Sequence, residues 1–107
     1  GGNSDLPLAE LTGLWISQEP STDGNGENAT DSYLQITADG NIVTYQVALD
    51  TGLGCTTWDT TAASYFSGTD VTVDGESFSV NAPDGEGGTV SLVYIPASAA
   101  PTGCTEL

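Results

Sequence analysis

Asp23, Asn25, Glu27 and Asp31 set four oxygen-bearing side chains into one Gly- and Asn-rich stretch. Ligands two residues apart are how an EF-hand loop begins, and hard oxygen donors suit Ca²⁺. The match stops at Asn28, where the turn glycine belongs, and at Leu34, where the bidentate acid belongs. We expect a solvated acidic loop there, with Ca²⁺ as the one cofactor its chemistry would admit. Asn28-Ala29-Thr30 is also an N-glycosylation triplet, meaningful only in a source that glycosylates.

The remaining reactive chemistry is narrow. The 107-residue chain has 15 Asp and Glu and not one Lys, Arg or His, a formal charge of −15. Without those bases there is no Ser-His or Cys-His pair, no Schiff base and no cationic oxyanion clamp. Paired-carboxylate glycoside hydrolysis is the one mechanism left, and it needs a buried acid, whereas these acids sit mostly in turns. The chain is expected not to be an enzyme. A phosphate-rich partner needs Lys or Arg, so nucleic acid is excluded as a partner. No run of apolar residues is long enough to span a membrane as a helix.

Two cysteines, Cys55 and Cys104, lie far apart among Gly and Thr. An even count without His favours a disulfide over a metal, and places the chain in an oxidising compartment. The start Gly1-Gly2-Asn3-Ser4-Asp5, without Met or an apolar leader, reads as a mature terminus left by export. Acids that only repel each other suit a salty medium, where screening is strong. The expected location is the cell surface, periplasm or exterior of a marine or salt-adapted bacterium.

The elements that position these groups are strands. Ser32 to Leu49 reads as a hairpin around Asp39-Gly40. A two-residue loop there sets Ile36 opposite Val43 and Leu34 opposite Tyr45. Val47 and Leu49 continue that apolar face, and Tyr33, Gln35, Thr37, Thr44 and Gln46 form the polar one. Asp74-Gly75 predicts a second hairpin, with Val71 opposite Phe78 and Thr69 opposite Val80. Thr12–Ser17, Cys55–Thr60, Ala62–Phe66 and Thr89–Ile95 are further strands, and Leu6 to Leu11 is one helical turn capped by Ser4 or Asp5. The fold class is all-β: a small antiparallel β-sandwich or meander barrel of about seven strands with one disulfide. Residues 1–107 make a single domain, with an N-terminal segment at 1–11 and a disulfide-anchored tail at 97–107.

Leu11-Thr12-Gly13-Leu14-Trp15, followed by Tyr33-Leu34-Gln35-Ile36-Thr37-Ala38-Asp39-Gly40-Asn41, resembles the small bacterial lipocalin-like lipoproteins. In those a Gly-x-Trp strand precedes a Tyr-Leu-x-Phe-x-Ala-Asp-Gly hairpin, and the Trp closes one end of a barrel. The likeness covers residues 8–48 and implies a domain that binds a small apolar ligand or a glycan. Tyr33, Trp58 and Tyr65 are the candidate aromatic surface for such a ligand. The residues also admit a structural reading, in which the chain is a filament or matrix subunit. Its contact with another copy would then lie at Leu6, Leu8 and Leu11, beside a polar start. Self-association of a secreted structural protein is the leading expectation, and the ligand-binding domain the alternative.

The charge yields the first test. Because repulsion among 15 acids is unrelieved by any cation, raising NaCl from low to marine strength should raise Tm. Melting curves in a salt series check this, and an unchanged or lower Tm would mean that repulsion costs the fold nothing.

Overall fold

A computed structural model describes residues 7–18, 30–48, 54–83 and 85–106. Among these, a short helix α1 (Leu8–Leu11) leads into strand β1 (Gly13–Ser17), then β2 (Thr30–Ile36), β3 (Asn41–Ala48) and β4 (Cys55–Thr61). A second helical turn, α2 (Ala62–Tyr65), separates these from β5 (Asp70–Asp74), β6 (Ser77–Pro83), β7 (Thr89–Pro96) and β8 (Thr105–Glu106). All eight strands join one sheet in the order β5-β6-β7-β1-β2-β3-β4-β8. Every neighbouring pair is antiparallel except β4 and β8, which run parallel. The fold is all-β, and its sheet does not close.

Parity explains the opening. From β5 to β4 the sheet has seven strands in strict antiparallel alternation, so the two end strands run in the same direction. They cannot close by antiparallel pairing, and consecutive parallel strands need a crossover rather than a hairpin. That crossover carries α2. Ala62–Phe66, expected as a strand, instead makes this helical turn, and the correction has a local cause. The Thr61 hydroxyl accepts a hydrogen bond from the Ser64 N–H at 3.1 Å, an N-cap that satisfies a first-turn donor. The apolar Ala62 and Phe66 then fall on one side of the turn, and both are buried.

The first hairpin differs in register from its expectation. Its loop has three residues, Ala38-Asp39-Gly40, closed by Thr37 N–H to Asn41 C=O at 2.9 Å and Gly40 N–H to Thr37 C=O at 3.1 Å. Gly40 takes a φ of 90°, the left-handed residue such a loop requires. The Thr37 hydroxyl also bonds the Asp39 carboxylate, holding that exposed group below its ordinary range. One extra loop residue turns β3 over. Ile36 faces Ile42 and Leu34 faces Thr44, so Ile42 and Thr44 are buried while Val43, Tyr45 and Val47 lie on the opposite face. In the second hairpin the loop is Gly75-Glu76, and Val71 pairs with Val80 and Val73 with Phe78. This register is two residues from the expected one, so each side chain keeps its face.

The inner face and the two helical turns form one core. Phe78 is fully buried at its centre, with Trp15 edge-on at 4.8 Å, Phe66 edge-on at 6.1 Å and Tyr94 stacked at 5.0 Å. Since α2 lies against β3 and β4, the contact of Phe66 with Phe78 on β6 requires the sheet to bend around the core. Leu11 seals one end: it is fully buried, and its carbonyl accepts the Trp15 indole N–H at 2.7 Å. The helical turn that carries Leu11 starts at Pro7, which offers no side-chain cap. Its carbonyl instead accepts from the N–H groups of Glu10 and Leu11. Ser4 and Asp5, the expected caps, lie outside the described residues.

Cys55 and Cys104 are joined, with Cα atoms 4.5 Å apart and a separation of 49 positions in sequence. The bridge anchors the tail beside β4, where Thr105 and Glu106 pair with Thr56 and Thr57. Replacing both cysteines by Ala should lower the unfolding free energy by ~4 kcal/mol, from loop-closure entropy restored to the unfolded chain. Urea unfolding measures it, and a loss below ~1 kcal/mol would show that the unfolded chain gains little freedom.

Candidate functional site

The outer face of the sheet carries an apolar row. Register alone places it: residues directly opposite in neighbouring strands share a face. Ile95 on β7 faces Ile16 on β1, Ile16 faces Tyr33 on β2, Tyr33 faces Tyr45 on β3, and Tyr45 faces Thr57 on β4. These five make one row across the face opposite the core, without a charge among them. Leu14, Val43 and Val47 flank the row on the same side, and all of these side chains are half-buried. Acids enter only around it, as Asp31 opposite Val47, Asp59 opposite Val43 and Glu106 opposite Thr57. In a chain that is acidic throughout, a neutral apolar row across the middle of a sheet is a surface suited to contact.

Polar groups punctuate the row. The Tyr45 hydroxyl donates to the Gln35 side-chain carbonyl at 3.3 Å, holding the ring beside Tyr33. Tyr33, one of the three candidate surface aromatics, is half-buried, with Tyr45 and Ile16 against it on either side. Trp58 sits on the inner face, opposite Thr44, whose hydroxyl donates to the Trp58 carbonyl at 3.1 Å. Tyr65 is on α2 and packs against the core. The three expected platform residues therefore do not converge.

Of the expected Ca²⁺ ligands, Asp23, Asn25 and Glu27 lie outside the described residues. Asp31 lies on β2, on the outer face. Among the described residues no three Asp, Glu, His or Cys groups are placed to hold a metal. Leu6 also lies outside the described residues, whereas Leu8 packs against the core and Leu11 is inside it. Leu11 thus has no surface to offer another copy.

Ile16, Tyr45, Thr57 and Ile95 were not among the expected site residues. For Tyr45 the signal was the spacing around Gly40, since a three-residue loop moves it to the face of Tyr33; the others join the row only through strand pairing. Elsewhere, a shallow groove of about 320 Å³ is lined by Glu10, Thr12, Gly13, Leu14, Trp15, Glu76 and Pro96. On the inner face beyond the core, Val90 and Leu92 stay 44% and 40% exposed.

Comparison with protein-family models, with curated proteins and with solved structures returns no match.

One inner-face pair gives a pH test. The Tyr65 and Tyr94 hydroxyls lie 3.1 Å apart. Burial raises the pKa of Tyr65 above the ordinary 10.0, and burial with the neighbouring phenol raises that of Tyr94 further. The folded state therefore holds these protons more tightly than the unfolded chain does. The stability they contribute is whole below pH 10 and falls as pH rises beyond it. Ultraviolet difference titration of the protein against its Tyr65→Phe and Tyr94→Phe variants should assign no phenolate to either residue until alkaline unfolding begins. Ionisation of either at the ordinary pH in the folded protein would show that the pair is open to water.

Proposed function

We propose that this chain is a non-enzymatic structural domain of the exterior of a salt-exposed bacterial cell, packing against further copies of itself through the outer face of its sheet. The neutral row Ile95–Ile16–Tyr33–Tyr45–Thr57 carries the reading. A sheet that carries an apolar row on its outer face as well as a core on its inner one gains by having that row covered. Its inner face is spent on the core. The absence of any Lys, Arg or His supports a role without catalysis or nucleic acid, and the disulfide supports an oxidising compartment. Association sets burial against charge. At ~25 cal/mol per Å², several hundred Å² of apolar area must be covered before the cost of association is met, and salt lowers the repulsion between copies.

Sedimentation or light scattering across an NaCl series tests this. The protein should assemble as salt rises, and the variant Tyr33→Asp with Tyr45→Asp should stay monomeric, since charges placed inside the row repel across the contact. A protein that is monomeric at every salt concentration would overturn the reading. The alternative is a lipocalin-like domain for a glycan or small apolar ligand, and Tyr33, Tyr45 and Gln35 supply two rings and an amide that suit a sugar.

A further inference from the structure

The two ends of the sheet are finished differently. At one end β8 pairs with β4 and the disulfide holds the tail there. At the other end, among the described residues, β5 has no strand beyond it. A two-residue loop makes its flanking pair, Asp74 and Ser77, a hydrogen-bonded one. By alternation Thr72 and Asp70 also turn their backbone groups toward β6. The N–H and C=O groups of Val71 and Val73 therefore point out of the sheet, away from β6, and no described strand pairs with them.

Side chains along this edge alternate strictly. Val71 and Val73 are half-buried and pack against the core. Asp70, Thr72 and Asp74 are exposed on the other face. A strand laid beside β5 would continue both faces, meeting valines with every second residue and acids with the residues between. Flanking acids guard an edge against indiscriminate pairing. Here they also select, because no segment of a second copy carries a cation to set against them.

We propose that the β5 edge accepts an extended segment of a different protein, alternately apolar and cationic, as a further strand of the sheet. The backbone of Val71 and Val73 supplies the pairing, and Asp70 and Asp74 supply the choice of partner. This surface is separate from the outer-face row and does not depend on self-association.

The probe is an acetylated, amidated peptide, Lys-Val-Lys-Val-Lys, added to the full chain at low salt. Its control is the same peptide with both Val amides N-methylated, equal in charge but unable to pair as a strand. Hydrogen exchange followed by NMR should show the Val71 and Val73 amides slowed at least ~10-fold by the first peptide and unchanged by the second. Replacing Asp70→Asn together with Asp74→Asn should weaken binding about fivefold while the rest of the sheet keeps its protection. Equal slowing by the N-methylated peptide would mean that charge alone is at work, and would overturn the proposal. So would the absence of binding, which would leave the acids as guards only. Slowing that grows with protein concentration and needs no peptide would assign the edge to a second copy, with the same result.

Discussion

Phe78 and the three rings around it hold this molecule together. Trp15 comes from β1, Phe66 from the connection after α2, Tyr94 from β7 and Phe78 itself from β6. The cluster thus ties the first strand, the crossover and the last two long strands to one point. Each such ring contact contributes ~0.5–1.5 kcal/mol beyond the area it buries. That cohesion matters more than usual here. With 15 acids and no cation, the chain has no side-chain ion pair with which to offset its repulsion.

Repulsion and burial divide the molecule between them. Among the described residues acids stand in turns and along the β5 edge, Asp39 in the first hairpin, Glu76 in the second, Asp70 and Asp74 on β5, while Asp31 and Asp59 flank the outer row. The middle of each sheet face stays neutral. On the inner face neutrality is required, because a carboxylate taken from water without a partner would cost more than the contact returns. On the outer face no core imposes it, and the row from Ile95 to Thr57 is neutral nonetheless. That contrast is the physical ground for placing a partner there.

The disulfide and the odd strand count act on the same problem. Seven antiparallel strands leave two edges that cannot close on each other by antiparallel pairing. One is covered by a two-residue strand too short to hold itself there, and the Cys55–Cys104 bond supplies what its hydrogen bonds cannot. The other edge is left to β5, short and acidic, which is how an uncovered edge avoids random pairing. The openness of the sheet is thus a managed feature of the fold.

The sequence by itself determined the class: strands bounded by Gly and Asp-Gly turns, one disulfide, a carboxylate-only chemistry and the helical turn before Trp15. These rest on local facts, such as loop residues, residue counts and cysteine parity, which need no knowledge of what lies across the sheet. It did not determine which face Tyr45 takes. Asp39-Gly40 is compatible with a two- or a three-residue loop, and a difference of one residue exchanges the faces of Ile42 and Val43. At Gly75 the error was two residues, which by the same period left every face correct. Nor did it show Ala62–Phe66 as a helical turn, because its small and aromatic residues suit a strand equally well. Only tertiary structure chose, since an odd set of antiparallel strands demanded a crossover there and the core had a place for Phe66. The outer row of Ile16, Tyr33, Tyr45 and Ile95 was invisible for the same reason: its members come from four strands, and only pairing brings them into line.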